Sequence, residues 1–113
     1  MRLLKMRWDG EMARDKLNRK LDIGDFVCYP TMRQGSLDSA VAFVVEVGGN
    51  YLRVTIPTRR RGEVVLFTRR IYRPDRCIKV DLNKVKLAAA STENAEYREE
   101  LDVIIEKHNG LFA

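Results

Sequence analysis

The side chains with the clearest chemical purpose are arginines. Between Thr58 and Pro74, six of seventeen residues are arginine: Arg59, Arg60, Arg61, Arg69, Arg70 and Arg73. A guanidinium stays charged at any physiological pH and grips phosphate or carboxylate through two parallel N–H groups. Its chemistry is capture of an anion, not the making of bonds. Tyr51, Arg53 and Tyr72 flank the same stretch, and a tyrosine ring can stack on a nucleobase. Arginines interleaved with tyrosines on one sheet face make a platform for single-stranded nucleic acid or RNA. A solvated strand edge is the simpler account of any one arginine. For the whole set, clustered at one hairpin and poor in nearby acids, the binding reading is the better one.

Residues that could do covalent chemistry are few. His108 is the single histidine. It falls near the end of a helical pattern, where packing or a helix C-terminus is its expected role. Any Ser/His/Asp or Cys/His arrangement would have to use it. Asp22, Asp25 and Asp38 match no cation-ligand spacing, and "GGN" is too short to cradle a phosphate. Cys28 and Cys77 have neither CxxC spacing nor a histidine beside them, which argues against zinc. They are expected as reduced, mostly buried thiols, although spacing alone leaves a disulfide between them open. The sequence therefore points to no catalytic residue, no metal and no cofactor.

Charge follows the same division. The 113 residues carry a formal charge of +5. Residues 51–80 hold nine Lys/Arg against Glu63 and Asp75, a net of +7, and residues 1–20 are net +4. Residues 91–113 are net −4. Polyanions fit the first two segments as partners. "KMRW…ARDKLNRK" would serve either as an arm along a phosphate backbone or as a solvated face. No window is apolar for the length of a membrane span, and "MRLLKMRW" has too short an apolar run for a signal peptide. The expected compartment is the cytoplasm.

The elements that must position these residues read as mainly β with flanking helices. Residues 1–20 form a basic segment, read as a short helix capped by Asp9 with Met12, Leu17 and Leu21 on one side. Phe26–Tyr29, Ala40–Val47, Tyr51–Pro57, Glu63–Tyr72 and the "RCIKVDL" stretch read as strands. "TMRQGSLDS" reads as a polar loop, and "GGN" and "RRRG" as turns. Pairing Thr58 with Glu63 would set Ile56 opposite Val65 and Val54 opposite Phe67 on the core side. Tyr51, Arg53, Arg70 and Tyr72 would then face outward, with Arg59–Arg61 at the tip. "STENAEYREELDVIIEKHNG" reads as an amphipathic helix over 92–108, capped by Ser91 or Thr92 and ended by Gly110. "LAAA" before it is linker or an extra turn.

Gly24-Asp25-Phe26-Val27, Val45-Glu46-Val47 and the alternating Leu52–Ile56 run make residues 21–82 resemble small SH3-like barrels of the KOW and Tudor type. The expected architecture is a five-stranded antiparallel SH3-like barrel over 21–86, with the patterned C-terminal helix over 91–110 packed on it or at a dimer interface. The resemblance implies a binding module for RNA, DNA or protein. The expected function is non-catalytic nucleic-acid binding by a small bacterial or phage regulator, as monomer or homodimer. The alternative is an interaction module docking on a larger assembly, such as RNA polymerase or the ribosome, through the hairpin or the C-terminal helix.

Overall fold

The computed structural model describes residues 13–33 and 36–112. Five strands form one antiparallel sheet: β1 (Phe26–Arg33), β2 (Ser36–Val47), β3 (Leu52–Arg60), β4 (Glu63–Ile71) and β5 (Ile78–Val80). Their order is β4-β3-β2-β1-β5. A 3₁₀ turn, Pro74–Arg76, precedes β5, and two helices follow: α1 (Leu82–Ser91) and α2 (Ala95–Phe112). This is the expected class, antiparallel strands with a C-terminal helix packed on them.

Both faces of the sheet are covered, so the apolar residues divide by strand parity. Val27, Tyr29, Ala42, Val44, Leu52, Val54 and Ile56 build the inner core. Ile71 from β4 and Cys77 beside β5 pack into that same cluster. These lie toward opposite ends of the strand order, so the sheet curls around its inner face. Phe26, Phe43, Val85, Ala89, Leu101 and Ile104 form a second core between the outer face and the helices. Phe26 and Phe43 meet edge to face with centroids 5.4 Å apart, and the His108 ring stacks on Phe26 at 5.4 Å. The lone histidine is therefore a packing residue of α2, as its helical position led one to expect.

Two local devices set the faces. Gly24 has φ +96° and donates its N–H to Val44 O at 2.9 Å, while Asp25 accepts from the Asp22 N–H at 2.7 Å. The Gly-Asp pair is thus a turn that leads the chain into β1, and only glycine adopts that φ without strain. In β2 the register slips between Val44 and Glu46, leaving Val45 as a bulge. Before the bulge the even-numbered residues Ala42 and Val44 point into the inner core; after it Val47 does. The extra residue turns Glu46 outward, opposite Arg53, where strict alternation would have buried a carboxylate.

Several expectations need correction. The polar "TMRQGSLDS" stretch is not a loop: β1 and β2 stay paired out to Arg33 opposite Ser36. The β3–β4 hairpin pairs Arg60, not Thr58, with Glu63. Arg61 and Gly62 alone form the turn, at φ +56° and +83°, and two positive φ values are what a turn matching the right-handed twist of the strands needs. The register therefore moves by two residues, keeping each face but changing every partner. Ile56 lies opposite Phe67 and Val54 opposite Arg69. Phe67 is 36% exposed and is no core residue, because β4 is an edge strand that runs past the inner core.

The chain from Ala13 to Leu21 is a turn closed by an Arg14–Lys20 bridge, not a helix. Buried Asp15 organises it, accepting from the N–H groups of Leu17, Arg19 and Lys79 and from the Arg19 guanidinium. Trp8, Asp9 and Met12 lie outside the described residues. The "RCIKVDL" strand is confined to β5. After it comes α1, with Asp81 as N-cap accepting from Lys84 N–H at 2.9 Å. α2 starts later than expected, where Asn94 accepts from Tyr97 N–H at 3.0 Å, and it continues through Gly110. Among the described residues no helix is long and apolar enough to cross a membrane.

Candidate nucleic-acid interface

The structure sorts the expected site residues into three groups. The first is a network on the outer face. Arg53 lies opposite Arg70 across β3 and β4 and opposite Glu46 on β2. Glu46 pairs with Arg53 at 3.3 Å and accepts the Tyr51 hydroxyl at 2.6 Å. The Arg70 guanidinium sits 4.8 Å from the Tyr51 ring centroid. The ring also lies against Gly48, where a Cβ would come within 2.1 Å of it. The hydrogen bond from Tyr51 holds the Glu46 carboxyl below its usual range against desolvation, and the nearby Arg53 and Arg70 charges add to it in lesser measure. The same hydrogen bond raises the Tyr51 phenol. Tyr51 is therefore engaged on all these sides, and it fixes the position of Arg70.

The second group is the hairpin tip. Arg59 turns back onto α2: its guanidinium donates to Glu99 Oε1 at 2.6 Å and to the Glu96 carbonyl at 3.0 Å. The Glu96 and Glu100 carboxylates stand 3.3 and 3.7 Å away. Arg60 lies with its guanidinium 4.9 Å from the Phe67 ring centroid. Arg61 projects from the turn, and neither Arg60 nor Arg61 has an ion pair among the described residues. Among the described residues the tip thus presents two cations without an ion pair, not three.

The third group surrounds a recess of about 260 Å³ at the far end of β4. Arg69, Arg70, Tyr72 and Arg73 line it together with Arg76 from the 3₁₀ turn and Tyr29 and Pro30 from β1. Strands β4 and β1 are not neighbours in the sheet, so the recess exists only because the sheet curls. Arg73 is bidentate to Asp75 at 2.8 and 3.0 Å, and that contact raises the guanidinium and lowers the carboxyl. Arg69 and Arg76 are exposed and have no carboxylate partner among the described residues. Tyr72 is 66% exposed.

Sequence reading missed Arg76 and Tyr29. The signal for Arg76 was Pro74, which presets φ for a tight turn and redirects the chain after β4. Tyr29 gave no such signal, since its place in the recess depends on sheet curvature. Asp22 and Asp25 are engaged with Lys20 at 3.8 Å and Lys79 at 3.4 Å. Among the described residues no group of three or more His, Cys, Asp or Glu side chains could hold a metal ion. No protein-family model, no curated protein and no solved structure matches this chain.

Proposed function

We propose that this protein binds nucleic acid without catalysing a reaction, using the arginines of β3, β4 and the following turn. One observation carries the reading. Arg60, Arg61, Arg69 and Arg76 lie exposed along one hairpin and its continuation with no carboxylate partner among the described residues. Glu96, Glu99 and Glu100 are engaged with Arg59, Asp75 with Arg73 and Glu46 with Arg53, while Glu63, opposite Arg60 in the hairpin, makes no ion pair with it among the described residues. A surface of unpaired guanidiniums raises the local potential and favours a polyanion, whose condensed counterions are released on contact.

Arg61 supports the same reading from the backbone. A non-glycine residue at φ +56° stands where asparagine or glycine would be less strained. Strained positions of this kind gather at functional sites, and here the strain points a guanidinium away from the sheet. Phosphate contacts would come from these arginines, and stacking from Tyr72, the exposed aromatic beside them. The expected ligand is DNA or RNA.

The test is a salt titration of affinity for single- and double-stranded DNA and RNA. Binding through several arginines predicts a steep fall of log affinity with log salt. Replacing Arg60 and Arg61 with Ser should weaken binding and flatten that slope while circular dichroism stays unchanged. Absence of affinity for all four nucleic acids at low salt would discard the reading in favour of docking on a protein assembly.

A further inference from the structure

We infer that the recess at the end of β4 is a subsite for one unpaired nucleotide, taking its phosphate and the adjoining base. This inference rests on the nucleic-acid reading and goes beyond it, because it selects single strands over duplexes.

Size is the first argument. A volume of about 260 Å³ lies near the lower end for small-molecule sites, roughly 300 Å³. It admits a phosphate with part of one nucleoside. A duplex cannot enter, since its bases are stacked inside and its phosphates lie on a broad cylinder. A single strand can splay one unit out of its stack.

The arrangement of charge is the second. Arg69 shares the inward parity of Ile71 and Phe67 along the edge strand β4, yet it is exposed. Arg76 reaches the same recess from the 3₁₀ turn, anchored by buried Pro74. Arg73 is held by Asp75 and shapes the rim without adding net charge. Arg69 and Arg76 reach the recess from separate elements, and neither makes an ion pair among the described residues. A phosphate can accept from both.

The aromatic rim is the third. Tyr29 and Cys77 are 8% and 0% exposed and form the base, while Tyr72, 66% exposed, stands at the mouth. A base beside a phosphate held by Arg69 and Arg76 has this ring to stack on. Arg70, stacked on the Tyr51 ring, lines the same recess.

The test compares the full-length wild type with Arg69→Ser/Arg76→Ser and with Tyr72→Ala. The probes are labelled oligothymidylate, oligouridylate and a blunt DNA duplex, each across a salt series. The arginine pair, which shares one phosphate, should lower the single-strand salt slope by about 0.7 units. Tyr72→Ala should weaken single-strand binding roughly 5- to 150-fold with the slope unchanged, and leave duplex binding as it was. Tyr72 lies on the surface, so its truncation decides the matter even if the double variant misfolds. Wild-type affinity for single strands in both folded variants would overturn the subsite while leaving the broader reading intact. Equal losses on single strand and duplex would also overturn it. A wild type that binds none of the probes at low salt would remove both.

Discussion

Arg59 reaches from the β3–β4 hairpin to Glu99 on α2 and donates to its carboxylate at 2.6 Å. Two parts of the chain with opposite charge, forty residues apart, are joined at this point. The Glu99 hydrogen bond raises the Arg59 guanidinium first, against some desolvation, and the charges of Glu99, Glu96 and Glu100 add to it. The acidic face of α2 thereby acts as a clasp on the hairpin.

Arg59→Ala should accordingly lower the unfolding midpoint, whereas Arg61→Ser should not. Glu99→Gln should lower it too, and the double variant should be little worse than the more damaged single one. A thermal double-mutant cycle measures this. Fully additive effects would mean that the contact contributes nothing of its own. The clasp should weaken as salt rises, since the Glu96 and Glu99 carboxylates are exposed.

Arg61 offers a separation of stability from binding. Its left-handed backbone costs roughly 1–2 kcal/mol relative to glycine. Arg61→Asn or Arg61→Gly should therefore raise stability by a fraction of that amount while reducing nucleic-acid affinity and its salt slope. Chemical denaturation and a binding titration on the same variant read the two effects. A stabilised variant with undiminished binding would take Arg61 out of the interface.

Gly48 is needed for Tyr51. A Cβ there would lie 2.1 Å from the Tyr51 ring, so Gly48→Ala must push the ring off Glu46 and Arg70 or shift the turn. The Glu46 hydrogen bond raises the phenol, so its loss should bring that titration back toward the ordinary tyrosine range. An ultraviolet difference titration against wild type, with Tyr51→Phe as reference, follows the single phenol. Overpacking also costs roughly 1–3 kcal/mol. Adding Tyr51→Ala to Gly48→Ala should relieve the clash, and a double variant more damaged than Gly48→Ala would contradict this account.

Asp15 predicts an acid-sensitive arm. Burial alone would raise its carboxyl, but the hydrogen bonds from Lys79, Arg19 and Leu17 together outweigh burial and lower it. A carboxylate depressed on folding contributes stability above its ordinary value and loses it as pH falls through the folded one. Asp15→Ala leaves the N–H groups of Leu17, Arg19 and Lys79 without this acceptor. It should cost roughly 2 kcal/mol at neutral pH and flatten the acid limb of the stability curve. Denaturant melts between neutral pH and pH 3 check both parts.

Cys77 and Cys28 should differ in reactivity. Both are free. Burial, followed by the charges of Asp15 and Asp75 and by Cys28, pushes the Cys77 thiol up to about 11, and burial raises Cys28 as well;. Thiolate is the reacting form, so native alkylation should be slow at Cys28 and slower still at Cys77. Unfolding without reductant should expose two modifiable thiols by mass spectrometry. An intact bridge in that experiment would refute the reading of both as reduced.

The sequence by itself determined the order of most elements and the buried side of β3. Leu52, Val54 and Ile56 alternate with polar neighbours, and that period of two allows one buried side however the partner is aligned. It also carried the long C-terminal helix, through the spacing of Leu101, Ile104 and His108. Alignment between strands was a different matter. The choice between Thr58 and Arg60 opposite Glu63 moves every pair by two residues without exposing a face, so the hydrophobic pattern is blind to it. Only the twist-matched Arg61-Gly62 turn selects one. Helix α1 was hidden because Asp81 as a cap and a run of alanines are weak signals beside a strand of three residues. The recess lay further from reach. It brings Tyr29 beside Arg69 and Arg76, which come from strands that never pair and from a turn between them. Long-range curvature of the sheet decides which of the many arginines meet, and which of them α2 claims. That curvature comes from packing two cores on opposite faces, a property of the whole chain and not of any local stretch.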